Sequence, residues 1–510
     1  MFRPSNPVTS TDFFDREAEL AALTEHVARL EVGAPSWVAI LGHRKVGKTS
    51  LLLELQRRMA TSRLVFALLD TLEFSPLDAD IVRRYAIRVA DAVLSPELGV
   101  SLESRARLPG EYRAALSALP RFAGFAPVLR ELLLDLPELQ IGPEAARSCL
   151  DLPQWLADAC DVRLVVAWDE FQALARIRGR WGKALHPLLR SVWQRHERVG
   201  YIISGSERGM LRDIVSDANA PFFQHFAIME LDVLPEEDGL RLLTEAAPPD
   251  RPIPDEVARV AVDVLGSHPF YLQLFGEELT RHPAPYGEGA LKQSLQALLF
   301  SRTGRLSLFF ENEYRGVVGR STFLAAIVAV LASGPLRLGE LAKEIKASPA
   351  ATAGYLRRVG DTVVRDADHY RLSDPVFATW LRWRTPGGTS VPMAILGSEG
   401  ERAAARWLSS VGFELVYQSR ASRGAFDLLA IRGPHQLGVQ VRRRRLPLSF
   451  TKAEWDRMAA ESQRLGWKWL IIAVDPQTEA VDALNPSLAK GRTVGPAARI
   501  DNLLWWADQG

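Results

Sequence analysis

The stretch WVAILGHRKVGKTSLLLELQRRM, Trp37 to Met59, constrains the fold more than any other part of the chain. Gly42, Gly47, Lys48 and Thr49 stand in the spacing GxxxxGKT, between an apolar strand-like run and the leucines of a buried helix. Glycine lets the backbone amides curl round phosphate oxygens at a helix N-terminus. Lysine neutralises the β- and γ-phosphates, and the threonine hydroxyl can ligate Mg²⁺. Ser50, next in the same turn, is placed with the nucleotide-binding residues.

A phosphate loop of this kind needs an acidic partner at the end of a neighbouring strand. VRLVVAWDE, Val162 to Glu170, supplies one: Asp169 is expected to hold Mg²⁺ and Glu170 to polarise the attacking water. With RLVFALLD (Arg63 to Asp70) and GYIISGS (Gly200 to Ser206), these apolar runs read as buried strands of a parallel sheet. The pairing of loop and acidic strand end predicts an ATPase with ATP and Mg²⁺ as cofactors, Lys48 and Glu170 acting in catalysis and Thr49 and Asp169 at the metal.

The length, 510 residues, exceeds what one core can bury, and helical spacing fills Thr71 to Pro153 and Pro235 to about Gly319. The expected organisation is an ATPase core with a helical insertion over 1–235 and a helical lid over 236–319. A three-helix and hairpin module follows over 320–384, then a linker over 385–396 and a second α/β unit over 397–510. A net charge of +1 argues against binding nucleic acid through overall basicity, so local clusters must carry any such role. Two cysteines, Cys149 and Cys160, are too few for a disulfide framework, and no apolar run has the length of a signal peptide or a membrane span. A cytoplasmic protein without membrane contact is expected.

FFDREAEL (Phe13 to Leu20), the phosphate loop, WDEFQ, IISGSERGML (Ile202 to Leu211) and GSHPFYLQL (Gly266 to Leu274) together resemble the archaeal-type AAA ATPases of the STAND class. The resemblance covers roughly residues 12 to 384. It implies that Phe14 and Arg16 lie near the adenine, that Ser204 or Ser206 senses the γ-phosphate, that Pro269 packs on the nucleotide from the lid, and that 320–384 is a winged helix. The relatives carry an arginine in the segment that here reads PFFQHF, Pro221 to Phe226. Its absence leaves the cation to Arg208 or a neighbouring subunit, or makes hydrolysis slow, and leaves a homo-oligomer open. Within the winged helix, Ser348 to Val359 would be the recognition helix, with Lys343, Lys346, Arg357 and Arg358 on or near it. Whether it meets DNA or serves as a relay stays open.

In GVQVR the two-residue period of a strand puts Gln440 and Arg442 on one face. Asp427 ends the preceding run and Glu401 lies on the helix before it, an order that gathers carboxylates and a cation around one point. With GSEGERAAARWLSSVGF, the segment resembles the PD-(D/E)xK nucleases, especially the Holliday junction resolvase branch. The family pattern ends in Glu-x-Lys, whereas Gln440 is neutral and Arg442 stays protonated, so Mg²⁺-dependent cleavage is expected to be weak or absent. Between 420 and 445 there are seven arginines against one acid, and Arg443, Arg444 and Arg445 are the expected phosphate contacts to DNA. The fold class is therefore α/β: a P-loop AAA-type parallel sheet with helical lid, winged helix and a second, restriction-endonuclease-like α/β domain. The alternative functions are a non-enzymatic nucleotide-gated DNA-binding regulator and a protein-interaction switch.

Overall fold

The computed structural model describes residues 2–10, 13–74, 77–301, 303–384, 399–413, 415–418, 426–432, 435–465 and 467–508. The expected linker over 385–396, Arg420 and Arg423 lie outside them. The chain divides into two compact units, Met1–Pro248 with Ser267–Gln273, and Pro249–Gly266 with Leu274–Gly510. Among the described residues no helix is long and apolar enough to cross a membrane.

In the first unit five strands, β1 (Trp37–Gly42), β2 (Leu64–Asp70), β3 (Arg163–Asp169), β4 (Val199–Gly205) and β5 (Phe226–Leu231), form one parallel sheet in the order β2-β3-β4-β1-β5. Side chains alternate between its faces. Val38 and Ile40 pack with Leu20, Leu23 and Val27 of the helix Glu17–Glu31 and with Leu51, Leu52 and Leu55 of the helix Lys48–Met59. Trp37, Ala39 and Leu41 pack on the opposite side, against the helices Ile81–Leu98, Pro143–Cys160 and Gly179–Trp193. Both faces are covered, which is why these strands read as unbroken apolar runs. Proline opens the insertion helices Pro109–Ser117, Pro127–Asp135 and Pro143–Cys160, where its fixed φ suits the first turn and its missing N–H leaves no bond unmade.

β5 has no counterpart in the sequence reading. It lies at the sheet edge beside β1, and its central residues Ala227, Ile228 and Glu230 are exposed. An edge strand with one face to water lacks the apolar run by which the buried strands are recognised.

In the second unit the helices Thr322–Leu331, Leu338–Glu344 and Pro349–Val359 accompany a small antiparallel sheet of β6 (Leu336–Arg337), β7 (Val363–Asp366) and β8 (His369–Leu372), ordered β6-β8-β7. Toward the C-terminus, β9 (Leu415–Gln418), β10 (Leu428–Arg432), β11 (His435–Arg442), β13 (Lys468–Val474) and β14 (Val481–Leu484) make a mixed sheet in the order β14-β13-β11-β10-β9. Only β11 and β13 run parallel in it. A two-stranded ribbon joins β12 (Leu448–Ser449) to β15 (Thr493–Val494). Val439 and Val441 pack on Ala404 and Leu408 of the helix Glu399–Val411. On the other face Phe426, Phe450 and Met458 surround Ile471 and Ala473.

Candidate functional site

The loop Gly42–Thr49 joins β1 to the helix Lys48–Met59, with Lys45 and Gly47 both at positive φ (66° and 105°). Gly42 must be glycine: a Cβ there would stand 2.6 Å from the Leu231 carbonyl oxygen of β5, which is pinned by the strand pairing. Lys48 is buried, and its Nζ donates to the carbonyls of Gly42 (2.9 Å) and His43 (3.0 Å). Burial holds its pKa below the usual lysine range, opposed by the charges of Glu170 and Asp169.

Asp169, buried at the end of β3, collects the neighbours that the sheet order predicts. Thr49 Oγ1 donates to its Oδ2 (2.6 Å), and Ser204 Oγ, from the end of β4, donates to its Oδ1 (2.5 Å). Glu170 follows at positive φ (51°), which turns its carboxylate out of the strand; Ser206 Oγ (2.7 Å) and Gln172 Nε2 (2.6 Å) both donate to its Oε2. Thr49 and Asp169 thus present two hard oxygen donors to one point, a set that fits Mg²⁺.

The remaining residues fall into place unevenly. Arg16 is buried, ion-paired to Glu19 (2.9 Å), and donates to the carbonyls of Asp232 and Val46, so its guanidinium ties the loop to the end of β5. Phe14 is half-buried, with the Arg241 guanidinium 5.2 Å from its ring centre. Pro269 opens the helix Pro269–Leu279, and just before it His268 is buried against the loop through the Arg44 carbonyl, its pKa pushed down to about 3 by desolvation. The Ser50 hydroxyl accepts from the Val8 amide (3.1 Å). Nothing local in the sequence aims the side chains of Gln172 and His268, which only the packed structure brings to Glu170 and to the loop.

The loop, the acidic strand end and the parallel sheet define the fold of the P-loop ATPases. Residues 145–285 match the family described as Novel STAND NTPase 2. The Walker-type ATPase of Pyrococcus abyssi is similar over 74% of this chain and 99% of that one, with a TM-score of 0.51 and 23% identity, a likeness of fold. The Aeropyrum pernix ORC2 protein in its ADPNP–ADP complexes aligns over 75% of this chain and 97% of its own, with a TM-score of 0.47 and 13% identity. A comparison with curated proteins returns no match.

A second polar cluster lies on β11. The Gln440 amide and the Val441 backbone N–H (2.8 Å) both donate to Asp427 Oδ2, and Arg442 Nη1 is 4.0 Å from the same oxygen. Burial raises the Asp427 pKa, and the charge of Glu401 adds to the effect. Arg442 also pairs with Glu454 (2.8 Å) and lies 5.3 Å from the Phe450 ring centre. Gln440, Val441 and Arg442 converge on Asp427, and unlike the Thr49 hydroxyl on Asp169, which can turn to offer a lone pair, the backbone N–H and the guanidinium facing Asp427 have none to give a cation. Among the described residues no group of three His, Cys, Asp or Glu side chains could hold a metal. This set does not fit a divalent cation. Beyond it, Arg443 pairs with Glu399 and Arg445 with Asp475 (3.0 Å), while Arg444 is exposed and forms no ion pair with a described residue. Lys343, Lys346, Arg357 and Arg358 are all exposed.

Proposed function

We propose that the chain binds ATP with Mg²⁺ and hydrolyses it slowly. The observation that carries the reading is the convergence of Thr49 and Ser204 on the two oxygens of Asp169, beside a buried Lys48 held on the loop. Thr49 and Asp169 hold the cation, which when bound neutralises charge on the β- and γ-phosphates. Lys48 exchanges its two carbonyls for phosphate oxygens. Glu170, oriented by Ser206 and Gln172, polarises the water. Calorimetric titration of ATP into wild type and Lys48→Ala tests this: equal affinity in the two would remove its basis.

We further propose that residues 236–319 form the lid, that 320–384 is a winged helix, and that 397–510 is a nuclease-like domain which grips DNA through phosphates. Nucleotide state would set the posture of these parts. The Gln440 amide on Asp427 favours a grip without Mg²⁺-dependent cutting, so the DNA-facing reading is that of a nucleotide-gated binder. Absence of any salt-dependent affinity for nucleic acid would favour a protein-interaction switch instead.

A further inference from the structure

Pro221 to Phe226 contains no arginine, yet the phosphate loop has an arginine of its own chain against it. Arg208 opens the helix Arg208–Ser216, two residues beyond Ser206. Its Nη1 donates to His43 Nε2 (3.0 Å), and the carbonyl of that same His43 receives Lys48 Nζ (3.0 Å). His43 of the phosphate loop thus carries the Arg208 guanidinium on its ring and the Lys48 ammonium on its carbonyl. The guanidinium is also held: Nη2 donates to Glu230 Oε2 (2.6 Å) and Nη1 reaches Asp232 Oδ1 at 3.4 Å, while Arg212 shares Glu230. Glu230 pairs in register with Leu41 at the mouth of the loop, so β5 sets a carboxylate beside a site built for anions.

We infer that Arg208 is the in-cis transition-state arginine of this ATPase, kept on Glu230 and Asp232 until a triphosphate draws it across to the γ-phosphate. The inference rests on the ATP reading above. Two carboxylates and a γ-phosphate compete for one guanidinium, whose planar fork suits either. In the step it serves, the oxygen of the water polarised by Glu170 bonds to the γ-phosphorus. The bond to the β–γ bridging oxygen breaks with its electron pair remaining on ADP, and the water proton passes by way of Glu170 to solvent. Arg208 stabilises the charge that develops on the γ-phosphoryl oxygens and leaving oxygen. Because the latch must open first, it lowers turnover by the modest worth of an exposed ion pair.

The test measures ATP affinity and single-turnover hydrolysis on the full chain. Arg208→Ala is expected to keep ATP affinity within about threefold and to lower the rate by about tenfold or more. Glu230→Gln, which weakens the latch, is expected to raise the rate by roughly twofold to fivefold, the size an exposed ion pair sets. Arg208→Ala with wild-type turnover overturns the inference, as does a parallel loss of affinity, rate and melting temperature, which would mark a merely structural pair. Should Arg208→Ala not fold, Glu230→Gln decides, and an unchanged rate there overturns it. A wild-type chain that binds no ATP overturns the ATP reading itself; ATP turnover indifferent to Arg208 overturns only this assignment.

Discussion

The carboxylate of Asp169 accepts from Thr49 and Ser204 at once, and so couples the phosphate loop to the end of β4. Beside it, the roles proposed for Lys48 and Glu170 are separable. Lys48→Ala should weaken ATP binding at least about tenfold, the worth of a charged hydrogen bond to phosphate. Glu170→Gln should keep the affinity and lose turnover by about 100-fold, since the amide cannot take a proton. Calorimetry and phosphate release separate the two outcomes. Glu54, one helix face away, carries stability instead. It is fully buried, bonded to Arg57 (2.7 Å), Arg58 (2.8 Å) and the Ser10 amide (2.9 Å), and its pKa is held down to about 2, chiefly by the Arg57 hydrogen bond. A carboxyl with a depressed folded pKa stabilises the fold above its unfolded value and ceases to do so as pH falls through the folded one. Its contribution, about 1–3 kcal/mol, should therefore be complete at neutral pH and vanish between about pH 4.5 and 2. Glu54→Gln should lower the melting temperature at pH 7 and narrow its gap to wild type on acidification; a constant gap would mean the charge is not what stabilises.

At the scale of elements, close approaches decide which substitutions a strand tolerates. On β11, a Cβ at Gly438 would stand 2.5 Å from the Phe426 ring, which packs in the core beside Phe450 and Met458 and precedes Asp427 in sequence. Gly438→Ala should destabilise the C-terminal sheet by about 1–3 kcal/mol, as overpacking does. Differential scanning calorimetry would show it, and an unshifted transition would mean that the ring has room to move. β5 works by a different constraint. As an edge strand it brings Glu230 and Leu231 against β1, closing the loop's first glycine on one side and holding Arg208 on the other.

For the whole molecule, the outcome with DNA turns on charge already spent inside the protein. Arg443 and Arg445 have acidic partners, so the arginine cluster presents less free charge than its residue count suggests. Affinity for DNA should fall between about 50 and 200 mM salt with weak dependence on sequence, and replacing Arg443, Arg444 and Arg445 with alanine should flatten the slope. An unaltered slope would place the binding surface elsewhere. Cleavage should be weak or absent with Mg²⁺. Gln440→Glu with Arg442→Lys should raise it, Mn²⁺ more readily than Mg²⁺, since Mn²⁺ accepts mixed ligands. Gel assays on supercoiled DNA would read this, and robust wild-type cutting that survives Asp427→Ala would mean that the site is misplaced.

Much of this was legible in the residue order, for a local reason. The spacing from Gly42 to Thr49, the apolar runs of β1 to β4 and the acids closing β3 depend on conformational preferences and periodicities within a few residues. What only the tertiary structure decided are encounters between residues far apart in the chain. Ser50 and Glu54 face Val8 and Ser10, Arg208 meets His43 across 165 positions, and the Gln440 amide lies on Asp427. β5 belongs with these, because an edge strand is recognised by the partner it pairs with rather than by its own pattern. A hydrogen bond requires two atoms within about 3 Å, and packing of the whole chain, not local propensity, sets which atoms come that close.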